Sequence, residues 1–463
     1  MTTTSTHIPG FTGLIITPGD AGYDDARRVW NVMHDKRPAI IARCTSPADV
    51  AAAIAFAVEN DVRIAIRGGG HSLPGLSVVD DGIVIDLGLM NAVSVDPATR
   101  RAIVQGGALL GDLDAAAQKH GLVVPAGVIS HTGVAGLTLG GGVGRLMRRF
   151  GLTIDSLVSA EIVTADGRML HADASENADL FWAIRGGGGN FGVVTSFEFG
   201  LHELSDLLIL ATFNPLEDAH RLLELAEKTM ADEAPRELLW TSFIRKGPQR
   251  PWLPAEFVGQ PGVMSVIEWS GDPDDGRAVL EDIRRELAPV GGSIDLVPFA
   301  VIQRAGDEDF GPGLMSYVKA TFGSAITPQL IDVLIERGRL LRSPLTQVEL
   351  LSMGGTISDV SPNDTAFPHR NAAWLLNVPA SWRDAADSDY EIAWVRDTFA
   401  AIAPLSSGGA YSNFMEGDEE ANDEVAYGAT LARLRAVKST YDPTNVFRLN
   451  QNVLPLDVPL TAP

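Results

Sequence analysis

Residues 182–192 read WAIRGGGGNFG, and their core, AIRGGG, already stands at residues 65–70, where it runs into His71 and Ser72. Residues 187–192 fit the dinucleotide pattern G-x-G-x-x-G, which needs a strand before its glycines and a helix after them. Here the order is reversed. NADLFWAIR (177–185) has helical spacing and GVVTSFEFGL (192–201) alternates as a strand. The dinucleotide reading is therefore rejected, and no G-x-x-x-x-G-K-[ST] loop occurs either. What remains are glycine clusters at 68–70, 106–107, 140–144 and 186–189. Glycine permits positive φ and close backbone approach, so successive N–H groups can form a concave anion nest fit for a pyrophosphate. One such cluster reads as a tight turn; several in this order favour a cofactor cradle.

Outward from the loops, the first two hundred residues mix helix and strand. DDARRVWNVMH (24–34) and PADVAAAIAFAVE (47–59) carry apolar residues at helical spacing, the second opened by Ser46 as N-cap. VRIAIR (62–67), GIVIDLG (82–88), AVSVD (92–96) and RAIVQGG (101–107) read as strands broken by glycine and aspartate turns. LLGDLDAAAQKHG (109–121) reads as a helix closed by glycine, and VSAEIVTADGRML (158–170) as a hairpin turning at Asp166-Gly167. From about 206, helical segments at 215–233, 274–290 and 327–341 alternate with strands such as 258–270 and 347–353. That pattern predicts a second lobe with helices over an antiparallel sheet, and an α+β fold for the whole.

Composition narrows the function. The 463 residues hold 59 acidic against 36 basic side chains, a net charge of −23, which repels nucleic acid and anionic membranes. Screening confines such repulsion to about 8 Å, so a local nest of N–H groups can still hold an anion. Cys44 is the only cysteine, which excludes an intrachain disulfide and a cysteine-based zinc site, and no metal is expected. The start, MTTTSTHIPGFTG, lacks the basic and apolar regions of a signal peptide, and no uncharged apolar run suffices for a membrane span. A reduced, soluble, cytoplasmic protein is expected.

His71 follows its glycines on a loop where a planar ligand can pack against backbone, and a neutral imidazole is a usable nucleophile. With it, RGGGHS (67–72), DGIVIDL (81–87), PAGVISHTGVAGLTLGGGVGRLMRRFGLTID (125–155), ENADLFWAIRGGGGNFGVVTSFEF (176–199), AYSNFMEG (410–417) and YDPTNVFRLNQNVLP (441–455) complete a set. In this set and order the chain resembles the FAD-linked oxidases of the vanillyl-alcohol-oxidase fold, in their berberine-bridge-enzyme-like branch. The resemblance explains the doubled loop: the first copy carries a flavin-linked histidine and the second lies in the other half of the FAD cradle. It implies an FAD-binding domain over 1–205, a substrate-binding domain over 206–405 and a C-terminal segment, 406–463, returning to the first. It also implies a covalent bond from His71 to the 8α carbon of FAD. The cradle would comprise Arg67, Gly68, Gly69, Gly70, Ser72, Gly127, His131, Thr132, Gly133, Gly136, Gly141, Gly142, Gly144, Asp155, Gly189, Asn190, Gly192, Val193, Val194, Asn413, Asn450 and Asn452. Many relatives add a cysteine tether; here Ile129 takes that place, so a single link and a less oxidising flavin are expected. Thr132 matches the position that gates oxygen over the flavin. The same segment also resembles hydroxynicotine oxidases and polyketide-processing flavoproteins, some of which stabilise a flavin-N5-oxide.

Oxidising a C–OH or C–N bond needs a base while hydride leaves carbon. In QVELLSMGG (347–355) alternation sets Glu349 opposite Val348 and Leu350, and a desolvated carboxylate facing the flavin would serve. By resemblance Tyr411 assists deprotonation, Asn413 fixes a loop or the ring, and Asn450 and Asn452 lie near the flavin edge. Lys319 matches a substrate-side position but, as a lone lysine, is expected to be exposed. The acidic run GDEEANDE (417–424) lacks the oxygen spacing of a calcium loop and reads as solvated. The expected protein is an oxidase, monomeric or homodimeric, using a small-molecule substrate and O2. Open alternatives are a dehydrogenase with another acceptor, a flavin-N5-oxide monooxygenase and a flavin-binding protein without catalysis.

Overall fold

Strands Ile40–Arg43, Ile64–Arg67 and Ile83–Asp86 are isoleucine-rich and buried along most of their length, the pattern of parallel strands covered on both faces. In the computed structural model, which describes residues 7–231, 233–417 and 422–456, they pair in parallel with Ile83–Asp86 at the centre, and Leu14–Ile16 adds antiparallel at the edge. Helix Pro47–Glu59 packs on this sheet, its first turn held by Ser46 Oγ, which accepts the Asp49 N–H at 3.2 Å.

A second sheet is wholly antiparallel, in the order Val93–Asp96, Arg101–Gln105, Val193–Gly200, Leu157–Val163, Met169–Asp173. Its last pair is the hairpin around Asp166-Gly167 expected from sequence. The helix expected over 24–34 is a single turn, Tyr23–Ala26. Beyond it the chain runs irregularly because tertiary bonds outbid helical ones. Trp30 Nε1 donates to the Phe310 carbonyl at 2.5 Å, and Asn31 Nδ2 to the carbonyls of Leu73 and Ser316 at 2.9 Å each.

The third sheet has seven antiparallel strands: Gly291–Pro298, Asp206–Pro215, Pro261–Trp269, Leu238–Lys246, Val348–Ser352, Trp374–Trp382 and Met315–Gly323. The strand period of two splits its side chains between faces. Val348, Leu350, Leu376 and Val378 join the core beneath helices Ala219–Thr229, Pro273–Leu287, Pro328–Gly338 and Ser388–Ile402. Leu239, Ala320, Phe322 and Leu375 face the other way and pack on Val143, Met147 and Ile154 of the glycine-rich segment. Each large side chain so buried contributes about 1.5–3 kcal/mol over exposure.

Arginines of RLMRRF (145–150) pin this roof to the lobe below. Arg145 pairs with Glu268, Arg149 donates to the Ser270 carbonyl, and buried Arg148 donates to the carbonyls of Met353 and, at 2.7 Å, Leu238. The late segment packs into the first lobe: Tyr427, Leu434, Val437, Tyr441 and Val453 share one core with residues of 102–201.

Candidate functional site

The glycine loops meet face to face. A Cβ on Gly69 would stand 2.3 Å from the Gly133 nitrogen, and one on Gly133 2.4 Å from the Gly69 nitrogen. Only glycine at both positions lets the backbones close, and this contact sets the RGGGHS loop beside the segment 127–136. Between them and the roof lies a cavity of about 410 Å³. Gly68, Gly69, Gly70, His71, Ser72, Gly127, Thr132, Gly133 and Gly136 line one side. Gly189, Gly192, Val193, Val194, Tyr411, Asn413 and Asn450 line another, and Glu349 with Ser316, Val318 and Asn377 comes from the roof.

His71 has Trp30 stacked on it, ring centroids 5.0 Å apart, and His131 beside it, with His71 Nε2 and His131 Nδ1 separated by 2.6 Å. Burial, then the nearby His131, pulls the His71 imidazole down to about 3, so the ring is neutral at physiological pH. The wall next to it is fixed from the roof lobe. Asp307 accepts from Ser130 N and Oγ at 2.8 and 2.5 Å, and Gln303 Nε2 donates to the Gly127 carbonyl at 2.8 Å.

Glu349 lies on the cavity face of its strand, directly across from Asn377 on the neighbouring one. Its two oxygens accept from Gln347 Nε2 at 2.5 Å and Asn377 Nδ2 at 2.9 Å. Desolvation raises the carboxyl above the ordinary range, against those two hydrogen bonds and the charge of Arg245. Among the described residues it is the one carboxylate lining the cavity, and no lysine or arginine lines it. Such a group can accept a proton from a bound alcohol or amine near neutral pH.

Several residues expected in the cradle do not line the cavity but hold its walls. Arg67 donates to Asp86 at 2.8 Å. Asp155 is bidentate with the buried guanidinium of Arg370, at 2.7 and 2.8 Å, tying the lower lobe to the 365–373 connection. Asn190 Nδ2 donates to the carbonyls of Gly187 and Gln451, and its Oδ1 accepts the Val453 N–H. Gly141 and Gly142 pack on Phe367 and Thr153, and Gly144 on the Ala126 carbonyl, 1.7 Å from where a Cβ would sit. His131 reaches the site only through His71, and Asn452 also stands outside the lining.

The ring of Tyr411 faces the cavity, but its hydroxyl oxygen accepts from the amides of Gly142 and Val143 and from Asn413 Nδ2, at 3.1, 3.3 and 2.9 Å. Burial raises its ionisation, and the hydroxyl holds the glycine segment in place. Asn413, bonded also to the Leu137 carbonyl at 3.1 Å, fixes the same loop. Lys319, expected to be exposed, is buried on the helix face of its strand, over the rings of Tyr317 and Phe399. Of the acidic run 417–424, residues 418–421 lie outside the described residues, and Asp423 and Glu424 stand in the first turn of helix Asn422–Tyr427. Trp30, Gln347, Asn377 and Phe310 escaped the sequence reading. The signal for Asn377 was there, a lone amide in the otherwise apolar WLLNV of a fully buried strand.

The residues fit an FAD. The N–H groups of Gly68 to Ser72 donate to no acceptor among the described residues, which makes them available to phosphate oxygens. A Cβ built on Gly136 or Gly189 meets nothing within 4 Å, so both walls leave room for a flat ligand. Known proteins agree. An FAD binding domain model matches residues 38–173, and a berberine and berberine-like model matches 410–454. (R)-6-hydroxynicotine oxidase of Paenarthrobacter nicotinovorans is 31% identical over 96% of this chain and 97% of its own. The crystal structure of 6-hydroxy-D-nicotine oxidase from Arthrobacter nicotinovorans superposes with a TM-score of 0.84 at 29% identity, covering 96% of this chain and 98% of the other. Glucooligosaccharide oxidase of Acremonium strictum, described with a 6-S-cysteinyl, 8α-N1-histidyl FAD, has the same fold, with a TM-score of 0.85 at 24% identity over 96% and 97% of the two chains.

Proposed function

Since this chain belongs to the berberine-like family of FAD-linked oxidoreductases, we propose that it is an oxidase whose FAD is held by one covalent bond to His71 and whose substrate is a small alcohol or amine. The observation that carries this reading is that His71 and Glu349, from separate lobes, line one cavity. Flavin bound there would supply the two-electron chemistry, as acceptor of hydride from the substrate carbon, with O2 as the final acceptor. Glu349 takes the proton from the substrate oxygen or nitrogen, and Asn377 and Gln347 aim its carboxylate. The aromatic walls of Trp30, Phe310 and Phe414 exclude water from that proton transfer. Thr132, small and cavity-lining, leaves O2 its approach. Ile129 offers no sulfur for a second tether, so the single link is the reading its chemistry supports.

Acid precipitation tests the tether. The wild-type pellet should stay yellow, and His71→Ala should release the colour to the supernatant; a yellow mutant pellet removes His71 from the role. Anaerobic mixing with panels of alcohols and amines should bleach the flavin, and O2 should restore it within the turnover time. Slow restoration would mark a dehydrogenase instead.

A further inference from the structure

His71 is held at one nitrogen only. Its Nε2 lies 2.6 Å from His131 Nδ1, whereas its Nδ1 has no partner among the described residues and is not sealed among the buried polar atoms. Trp30 stacks on the ring at an interplanar angle of 20°. A proton on His71 Nε2, donated to His131 Nδ1, leaves the lone pair on Nδ1 toward the cavity. His131 Nε2 is itself buried without a partner among the described residues.

Resting on the assignment of the flavin link to His71, we propose that His131 is the positioning residue for that link, fixing the His71 tautomer and receiving its Nε2 proton as Nδ1 bonds to carbon. Bond formation at Nδ1 would otherwise leave an imidazolium in a site whose burial already disfavours that charge. His71 Nδ1 gains the bond to the 8α carbon, one C8α–H bond breaks with its proton going to solvent, and the two electrons released reduce the flavin ring. Dioxygen takes those electrons with two protons and leaves as hydrogen peroxide, returning the ring to its oxidised form. The Nε2 proton passes to His131 Nδ1 and from there to that peroxide, so both imidazoles end neutral.

The experiment adds FAD to flavin-free protein and follows two quantities: binding, by quenching of FAD fluorescence, and attachment, by acid-stable absorbance over time. Wild type should bind and then link. His131→Ala should bind yet link about a hundredfold more slowly, the low end of a general-base contribution, and added imidazole should restore the rate. A rescue of that kind does not follow from a role in packing alone. His131→Asn keeps an oxygen acceptor but no proton acceptor, and should bind and link at an intermediate rate. If His131→Ala or, where that variant fails to fold, His131→Asn links at the wild-type rate, the proposal is overturned while the His71 reading stands. If wild type binds FAD but never retains it through acid, the His71 reading itself falls. His71→Ala, which should bind and never link, separates the two.

Discussion

Glu349 is reached by desolvation and by two amide donors, and its chemistry follows from both. Replacing it with Gln keeps the hydrogen-bonding shape and removes the proton acceptor. Turnover should fall about 10²–10⁴-fold with the flavin still attached. In wild type only the ionised carboxylate works, so flavin reduction should slow as pH drops through its raised pKa. Stopped-flow bleaching against pH should show that limb in wild type and lose it in Glu349→Gln. A second test lies at Ile129, which lines the same cavity as His71. If its place is that of a second tether, Ile129→Cys in a His71→Ala background should return acid-stable flavin to the pellet; a colourless pellet would place the flavin's benzenoid edge elsewhere.

The glycine loops make the sharpest predictions at the level of the element. Gly69→Ala and Gly133→Ala each drive a methyl into facing backbone. Both should lower the melting temperature of the flavin-free protein, by the equivalent of about 1–3 kcal/mol or more. Gly136→Ala differs, since its methyl enters open space within helix Val134–Leu139. That substitution should leave the flavin-free protein as stable or slightly more so, by up to ~1 kcal/mol, while reducing FAD uptake measured by absorbance. Sequence made such elements legible unevenly. The hairpin at 158–170, the helix after Ser46 and the Glu349 face followed from local periodicity, because there local preference and tertiary packing agree. Segment 24–34 did not, since Trp30 and Asn31 spend their polar groups on residues more than 35 positions away. For the same reason the stacking of Trp30 on His71 was invisible. The wall-holding parts of Asp155, Asn190 and Arg67 were hidden too, because a shared motif marks that a residue is needed without saying which contact needs it.

Across the whole molecule, buried neutral histidines make the flavin-free protein acid-labile. His369, stacked on Phe322 at 4.2 Å, is pulled by burial to about 4, and His71 to about 3. Unfolded histidine titrates near ~6.5, so below that pH the unfolded chain binds more protons than the folded one. Their contribution is complete above ~6.5 and is lost as pH falls toward those depressed values. Melting temperature of the flavin-free protein should therefore decline over that interval, and His369→Gln should show a shallower decline. The joint between the lobes is equally exposed to test. Arg370→Met strands the Asp155 carboxylate in a largely buried place and should cost about 3–5 kcal/mol in urea unfolding, where Asp155→Asn should cost less.

The packing of Tyr427, Val437 and Val453 among residues of 102–201 has a bearing on when the protein becomes active. Asn190 is bonded to Gln451 and Val453, and Phe447, Leu449 and Asn450 complete the cavity wall. A nascent chain lacks that wall until translation has passed position 453. A chain cut short before Phe447 would lack that wall and should take up no colour when supplied with flavin.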